Sequence, residues 1–490
     1  MRNKALFLPY SIANHSKLPD SNIKDMESKI KNLSALVSKG DVNARKIALE
    51  VAEEILRELD SRSVIGKTVA LNGNILNVGE KAWDLSKKKN VYVVGAGKAC
   101  NAMVGALHDI LGDRVTKGIA IVKIIEPEDN YPGIDIYEGG HPIPNEVGYE
   151  ASRRIIDLVD SAGPDDLFIS AISGGSSALM SCPVDGISLE DEKAVSRLML
   201  DAGARIMEIN AVRRHISKLN GGRLAQRIVE KGAELINLIL WDVVGDNFTS
   251  NLQMPSRFYG TPVGADNTTV DDAINAIEKY GLSEKLPATV TGYLNSGAKG
   301  VETPKELSEK VTNFVLQVPA DACATAQAVC KKKGFCSHII TTSLEGESSE
   351  AGVFLATIAK EIEEHNRPVE APCFLIVGGE STVSVSENSG RGGPNQEVAL
   401  SFAQEIEGHK GICLVAVGTD GTDGPTNFAG GIADALIAER AKETGLDLYS
   451  YINRHDVYEA LKQLDSGIVT GNTGTNLCDL ILIYIPQLKN

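Results

Sequence analysis

The feature that most constrains the fold of this chain is the stretch Asp166-Leu-Phe-Ile-Ser-Ala-Ile-Ser-Gly-Gly-Ser-Ser-Ala-Leu-Met180. Its apolar first half is typical of a buried parallel strand, and it ends at a glycine-serine turn before a helix starts. Backbone N–H groups converge at such a turn, and Ser176 or Ser177 is placed to cap the helix. The stretch therefore predicts either a cradle for a carboxylate or phosphate, or a tight strand-to-helix turn without a ligand.

Strands and helices alternate along the rest of the 490 residues, as in a doubly wound parallel sheet. A second series of alternating strands and helices begins near residue 311, after a glycine-rich segment at 296–304 that suits a linker. We expect an α/β protein with three regions: a mobile extension (1–25), a large Rossmann-like doubly wound domain (26–300) and a smaller α/β domain (301–490).

Charge and composition exclude several classes of function. The chain has 49 Lys and Arg against 65 Asp and Glu, a net charge of −16, which argues against a nucleic-acid or anionic-membrane binder. No apolar run is long enough to span a membrane, and Pro9 interrupts the short one at the start of the chain. The eight cysteines are scattered, as is typical of reduced core residues. We expect a cytoplasmic monomer or homodimer with small-molecule partners.

A second strand-turn-helix unit carries a lysine. In Val91-Tyr-Val-Val-Gly-Ala-Gly-Lys-Ala-Cys100, a dinucleotide fingerprint would need glycine in place of Cys100, and a phosphate-binding P-loop is absent. Lys98 is nevertheless well placed to neutralise a phosphoryl oxygen at a helix start. The alternative is an exposed turn lysine without a ligand.

Basic residues concentrate in one segment of this acidic chain. Between residues 208 and 224 lie Arg213, Arg214, His215, Lys218 and Arg223. This density suits a polyanionic ligand, and a solvated basic face is the competing interpretation. His141, in the preceding Gly139-Gly-His-Pro-Ile-Pro-Asn145 loop, either contacts the substrate or is fixed by hydrogen bonds within its loop.

Acidic residues follow predicted strands, where open α/β sheets bind ligands. Asp242 and Asp246 come after the strand ending at Leu240, and they are candidates for holding Mg²⁺. Glycine loops of the second domain carry Glu380, Arg391, Asn395, Asp420 and Asp423. Calcium is an alternative, but the ligand spacing of an EF-hand is missing. A magnesium-phosphate site with an arginine clamp explains more of these residues together.

Eight motifs occur in order along the chain: Gly-Ala-Gly-Lys, Gly-His-Pro-Ile-Pro, Ile-Ser-Gly-Gly-Ser-Ser-Ala-Leu, Glu-Ile-Asn-Ala-Val-Arg-Arg-His, Gly-Gly-Glu-Ser-Thr, Gly-Arg-Gly-Gly-Pro-Asn-Gln-Glu, Gly-Thr-Asp-Gly-Thr-Asp-Gly-Pro and Thr-Gly-Asn-Thr-Gly-Thr-Asn. Together they closely resemble the class II glycerate 2-kinases, also called the MOFRL family. The resemblance implies ATP- and Mg²⁺-dependent phosphorylation of D-glycerate at its 2-hydroxyl. It also implies a Rossmann-like domain, a smaller MOFRL domain and an active site in the cleft between them.

The resemblance places the family's functional lysine on Lys98 and its functional arginine on Arg391. We expect substrate and phosphate contacts from one set of residues: Ser173, Gly174, Gly175, Ser176, Ser177, Asn210, Arg213 and Lys218. Nucleotide contacts are expected from Glu380, Asn395, Asp420 and Asp423, and metal contacts from Asp242 and Asp246. The chain departs from the family pattern at Pro394, where arginine is more usual, and in the stretch 247–259.

Three alternatives to glycerate phosphorylation remain open from the sequence. The first is a kinase whose acceptor is a larger sugar acid, such as 2-keto-3-deoxygluconate. The second is a hydroxypyruvate reductase, and the third is a sugar-acid sensor without catalysis. The reductase needs a nicotinamide site, which the Gly95-Ala-Gly97 turn supports poorly.

Overall fold

A computed structural model describes residues 28–244, 261–297, 300–386 and 389–487. The described strands are β1 (Val69–Asn72), β2 (Ile75–Val78), β3 (Lys81–Asp84), β4 (Asn90–Ala96), β5 (Lys117–Val122), β6 (Ile134–Glu138), β7 (Asp166–Ile172), β8 (Glu234–Leu240), β9 (Val311–Gln317), β10 (Cys336–Leu344), β11 (Cys373–Gly379), β12 (Cys413–Gly418), β13 (Gly430–Asp434), β14 (Gly467–Ile468) and β15 (Asp479–Ile485).

The described helices are α1 (Leu33–Leu36), α2 (Val42–Glu58), α3 (Ser61–Thr68), α4 (Cys100–Leu111), α5 (Glu146–Asp160), α6 (Ser176–Leu179), α7 (Leu189–Asp201), α8 (Ile206–His215), α9 (Arg223–Glu230), α10 (Val270–Lys279), α11 (Ala288–Leu294), α12 (Pro319–Lys332), α13 (Ser348–His365), α14 (Pro394–Glu405), α15 (Ile437–Glu443), α16 (Leu448–Asn453) and α17 (Val457–Gln463). Among these described helices, none has the length and apolar content needed to cross a bilayer.

The first compact unit, Ser61–Gln317, is built on a six-stranded sheet in the order β6-β5-β4-β7-β8-β9. All neighbouring strands of this sheet run parallel, which confirms the predicted doubly wound sheet. Helices α3 and α4 pack together near β4, and α5 packs with α9. Every residue of β7 is buried, because a parallel sheet covered by helices on both faces hides its central strands.

A ladder of polar side chains crosses three strands inside this apolar sheet. The Ser170 hydroxyl donates to the side-chain oxygen of Asn237 at 2.6 Å, and the Asn237 amide donates to the side-chain oxygen of Asn313 at 2.6 Å. These residues are register partners on β7, β8 and β9. Since a shift of one residue would bury these groups without partners, the ladder stabilises the observed register.

The second unit combines residues 28–60 with those from Val318 onward. Its six-stranded sheet has the order β10-β11-β15-β12-β13-β14. Strands β10 and β11 are parallel, whereas β15 runs antiparallel to both β11 and β12. Helices α2 and α12 pack together with strands of this sheet, and α13 packs against α14.

The structure divides the chain differently from the expected boundary at residue 300. Strand β9 pairs in parallel with β8 from Leu235 opposite Val311, so residues up to Gln317 complete the first sheet. Helix α2 joins the second unit because its apolar side packs in the core with α12 and β12. Arg45 on α2 also forms a fully buried ion pair with Asp434 at the end of β13. The predicted linker at 296–304 is therefore a connection within the first unit, and the predicted extension 1–25 lies outside the described residues.

Candidate active site

The first unit has a topological switch point between its two central strands. Strands β4 and β7 are neighbours, and the chain continues from β4 toward one edge of the sheet and from β7 toward the other. In open α/β sheets, ligands bind outside the carboxyl ends of the strands at such a point. The two turns that the sequence singled out follow these two strands.

The two turns are joined by hydrogen bonds and by close packing. The Lys98 N–H donates to the Gly174 carbonyl at 2.9 Å, and the Ala99 N–H donates to the Ser173 hydroxyl at 3.0 Å. A Cβ at Gly97, whose φ is +140°, would lie 2.1 Å from the Ser173 hydroxyl oxygen. Glycine is therefore required for this approach, and the turns form one rigid structure.

Lys98 and His141 both lie beside Gly175. A Cβ at Gly175 would lie 3.0 Å from Cδ2 of His141 and 3.4 Å from Cγ of Lys98. Both side chains are half-buried. The structure thus brings together the lysine turn, the histidine loop and the glycine-serine turn, which are far apart in the sequence.

The helix after the glycine-serine turn corrects one expectation. Helix α6 is a single turn, and its N-cap is Gly175 with φ +84°, so neither Ser176 nor Ser177 caps it. The cause is that the chain turns through a left-handed conformation that serine adopts reluctantly. The Ser177 carbonyl accepts a hydrogen bond from the Asn220 amide at 3.1 Å. Asn220 is a buried residue that sequence reasoning missed, although it lies in the noted basic segment.

Arg213 is hydrogen-bonded to the histidine loop. Its side chain is buried, with Nη2 donating to the Pro142 carbonyl at 3.1 Å and Nε donating to the Ser196 hydroxyl at 3.2 Å. Asn210, on the same helix α8, is also buried, and its side-chain oxygen has no hydrogen-bond partner among the described residues. Both predicted substrate residues therefore lie within the protein, Arg213 in contact with the residue after His141.

A buried carboxyl group adjoins this region, and sequence reasoning gave no sign of it. Glu192 on α7 is fully buried, and Oε2 accepts a hydrogen bond from the Ser181 hydroxyl. Burial raises the pKa of Glu192 to about 7, opposed by that hydrogen bond and by the positive charge of Arg213. A charged residue in an amphipathic helix reads as solvent-facing, so only the packing shows its burial.

Burial divides the basic segment: Arg213, Arg214 and His215 lie inside the protein, whereas Lys218 and Arg223 are half-buried. Arg214 is fully buried and pairs with Asp266 at 2.6 Å, and His215 is fully buried with Nε2 3.0 Å from a Glu302 oxygen. Lys218, an expected substrate residue, pairs with Asp185 at 2.6 Å. The Asp266 partner offsets the cost of burying the Arg214 charge, and both ring nitrogens of His215 have partners within the first unit, so both side chains serve contacts inside the fold.

In the second unit, strand register gathers three carboxylates at one sheet edge. Asp479 begins β15 and lies opposite Gly379 of β11 and Gly418 of β12, while Glu380 and Asp420 follow those strands. Burial raises the pKa of Asp479 well above its usual value, with contributions from the negative charges of Asp423, Glu380 and Asp420. Asp479 was missed because nothing local marks the first residue of an apolar strand.

Asp423 holds the start of helix α14. Its carboxylate accepts from the N–H of Asn395 at 3.0 Å, the N–H of Gln396 at 2.9 Å and the Gln396 amide at 2.9 Å. Burial raises its pKa to about 6, although these hydrogen bonds lower it. The Asn395 amide also donates to Asp479 at 2.7 Å. Both oxygens of Asp423 are engaged, so it serves to fix Asn395 near Asp479.

Arg391 lies on an exposed loop of the second unit. Its guanidinium carbon is 4.5 Å from the centroid of the Tyr458 ring, and its N–H donates to Asp456 at 3.1 Å. The Tyr458 N–H donates to the Arg391 carbonyl at 2.9 Å. These contacts fix the backbone of Arg391, and stacking on an aromatic ring limits the conformations of its side chain.

Of the two predicted metal residues, the structure describes Asp242 alone. Asp242 follows β8 directly and is half-buried at the carboxyl end of the first sheet. Asp246 lies outside the described residues.

Most of the chain matches protein families and relatives that are already known. Residues 47–295 match the family model described as a domain of unknown function (DUF4147), and residues 373–479 match that of the MOFRL family. The chain is 37% identical to a glycerate 2-kinase of Pyrococcus horikoshii over 91% of this chain and 99% of that protein. It is 40% identical to a D-glycerate 2-kinase of Thermotoga maritima, over 80% of this chain and 90% of that protein.

A solved structure gives the same result for the fold. The crystal structure of a Thermotoga maritima glycerate kinase has a TM-score of 0.74 and 36% identity, covering 90% of this chain and 99% of that one. Sequence and structure therefore agree that this chain belongs to the MOFRL family of class II glycerate 2-kinases.

Proposed function

We propose that this protein is a kinase that transfers the γ-phosphoryl group of ATP to the 2-hydroxyl of D-glycerate, giving 2-phosphoglycerate. The observation that carries the proposal is the placement of Lys98 and His141 beside Gly175 at the switch point of the first sheet. The names of the relatives support the reaction, and the chain covers nearly the whole length of those proteins.

The acceptor binds in the first unit. The Ser173–Ser177 turn presents its backbone to the carboxylate of glycerate, a group that needs hydrogen-bond donors rather than hydrophobic contact. Arg213 holds the His141 loop through Pro142, and Asn210 adds a buried polar group on the same helix. Lys218, a further expected substrate residue, forms an ion pair with Asp185 that reduces its net positive charge.

The nucleotide and Mg²⁺ depend on carboxylates. Glu380, Asp420 and Asp479 of the second unit offer the oxygen ligands that Mg²⁺ prefers. Asp242, which follows β8 in the first unit, is a separate candidate for a metal ligand. Burial raises the pKa of Asp479 and the negative charges of Asp423, Glu380 and Asp420 raise it further, which fits a group of residues suited to a cation. When bound with ATP, Mg²⁺ neutralises charge on the nucleotide phosphates. Asn395 orients Asp479 through its amide.

The residues of this chain act mainly by positioning and by neutralising charge. Phosphoryl transfer passes through a loose transition state, so little covalent chemistry is required of the protein. In the first unit, Lys98 neutralises oxygens of the phosphoryl group in transfer; in the second unit, Arg391 supplies the positive charge of the family's functional arginine. The joined turns at Gly97 and Ser173 fix the backbone from which the Lys98 side chain extends.

Product analysis tests the reaction. The purified chain is incubated with ATP, Mg²⁺ and D-glycerate, and phosphorus NMR identifies the product; 2-phosphoglycerate is expected. Parallel incubations contain 2-keto-3-deoxygluconate, or hydroxypyruvate with NADH or NADPH. A product formed only from the larger acid would change the acceptor, and oxidation of the nicotinamide without a phosphorylated product would refute the kinase. Binding of glycerate without turnover would favour a sensor.

A further inference from the structure

A second group of candidate ligands lies in the C-terminal unit, on residues that the proposed reaction does not use. Glu347, Glu397 and His455 each offer one ligand atom, and these atoms lie within 4.8 Å of one another. They come from three segments: the residue before α13, the first turn of α14 and the connection between α16 and α17. Such convergence from separate segments is usual for metal sites, where the cation joins them.

Glu397 is the residue that points to a ligand. Its side chain is 1% exposed, and Oε1 lies 2.6 Å from Nδ1 of His455. Oε2 is buried and has no hydrogen-bond partner among the described residues. An unpaired carboxylate oxygen in the interior costs free energy, and a bound cation would remove this cost.

The charges around Glu397 also favour a cation. The negative charges of Glu347 and Asp423 act on this carboxylate, and His455 opposes them. A proton on Oε1 of Glu397, shared with Nδ1 of His455, would remove one charge but would leave the buried Oε2 without a partner among the described residues. A divalent cation would neutralise two carboxylates and bind their free lone pairs.

The composition of the ligand set selects the kind of metal. Mg²⁺ and Ca²⁺ prefer oxygen ligands alone, whereas one imidazole with two carboxylates suits Zn²⁺, Mn²⁺, Fe²⁺ or Co²⁺. We propose that Glu347, Glu397 and His455 form a binding site for a divalent first-row transition-metal ion, distinct from the magnesium of the nucleotide. Glu347 and His455 are half-buried, so the ion enters from solvent.

The proposed metal site lies in a segment that contacts the loop carrying Arg391. His455 has a left-handed backbone with φ of +52°, in a segment that contacts the Arg391 loop. The Gly390 N–H donates to the Arg454 carbonyl at 2.7 Å, and the Arg391 N–H donates to Asp456 at 3.1 Å. A cation at His455 therefore ties this segment to α14 and stabilises the loop that carries Arg391.

Cobalt binding tests the proposal without any measurement of activity. The full chain is freed of metal with a chelator and titrated with Co²⁺ in excess Mg²⁺, which occupies oxygen-only sites. Visible absorption bands report bound cobalt, and thermal unfolding reports its effect on stability. Cobalt could also bind at Cys336 and His338, where Sγ of Cys336 lies 3.4 Å from Nε2 of His338. A sulfur-to-cobalt band in the near ultraviolet would identify binding at this alternative site.

The variants are His455→Gln and Glu347→Gln, with His365→Gln as the matched control. His365 is an exposed histidine 3.7 Å from Glu364, and it belongs to no described three-ligand group. We expect wild type and H365Q each to bind one Co²⁺ whose spectrum lacks the sulfur-to-cobalt band. Both proteins should unfold at a higher temperature with Co²⁺ bound than without it. H455Q and E347Q should lose at least about 10-fold in affinity.

Two results would overturn the site: no cobalt bound by wild type apart from the sulfur-linked place, or wild-type binding by E347Q and H455Q. Far-UV circular dichroism of each variant checks the fold. If H455Q fails to fold, E347Q decides the matter, because Glu347 is half-exposed and a neutral amide replaces it without a change in volume.

Discussion

Replacing Glu192 with glutamine should change how the stability of this protein depends on pH. Glu192 is fully buried on α7, and Oε1 has no hydrogen-bond partner among the described residues. Burial raises its pKa from 4.5 to about 7 in the folded protein, against the lowering effects of Ser181 and Arg213. The folded state therefore favours the neutral carboxyl group.

The sign and size of the effect follow from proton linkage. Between pH 4.5 and about 7 the folded chain holds the Glu192 proton while the unfolded chain has lost it, so stability falls as pH rises. Each pH unit in this interval costs about 1.4 kcal/mol, and the penalty reaches about 3 kcal/mol above pH 7. The E192Q variant does not ionise. Its free energy of unfolding, relative to wild type, should therefore increase by about 2–3 kcal/mol from about pH 5 to about pH 8.

Denaturant unfolding followed by tryptophan fluorescence measures this difference. The two tryptophans of the chain, Trp83 and Trp241, both belong to the first unit, which also contains Glu192. Glu190→Gln is the matched control, because Glu190 lies on the same helix with a side chain 71% exposed. The E190Q difference should stay nearly constant with pH. A pH-independent difference between E192Q and wild type would refute the argument from burial.

Three further substitutions and one control substitution test other parts of the structure. Lys98→Ala should lower kcat by on the order of 10²–10³ in the glycerate kinase assay, because a charge that stabilises the transition state is lost; an unchanged kcat would remove Lys98 from the proposed mechanism. Asp479→Asn should raise the Mg²⁺ concentration needed for half-maximal kcat/KM by about 10-fold or more, and an unchanged magnesium dependence would place the metal elsewhere. Asp434→Ala should lower the free energy of unfolding by about 3–5 kcal/mol, because it leaves Arg45 buried without its partner. Glu407→Ala, which breaks the exposed ion pair with Lys442, should cost under about 1 kcal/mol in the same denaturant titration, and equal losses would contradict the role of burial.

The strand-turn-helix pattern was sufficient to predict the architecture of the first unit. The apolar run at 167–172 lies within β7, and the run at 235–240 lies within β8, as hydrophobic periodicity indicated. Asn145 caps α5, and its side chain accepts from the Gly148 N–H at 2.8 Å, in keeping with the preference for asparagine at helix N-caps. The ordered motifs likewise indicated the family that the comparisons then showed.

Several features depended on packing between distant segments. Apolar residues recur along one side of α2, but nothing in the sequence indicates the sheet that covers them. Contacts with α12 and β12 place α2 in the second unit. The basic segment at 213–223 read as one group, but burial separated Arg214 and His215 from the surface. Charge count in a sequence carries no information about desolvation, since that depends on what packs against each residue.

The sequence by itself determined the alternating elements, the turn residues and the family, because these depend on neighbouring residues and on the order of motifs. Only the tertiary structure decided that Asp479 lies beside Glu380 and Asp420, that Glu192 is buried, and that Glu347, Glu397 and His455 converge. The physical reason is that strand order and register bring together residues separated by tens of positions, and local periodicity contains no information about such pairing.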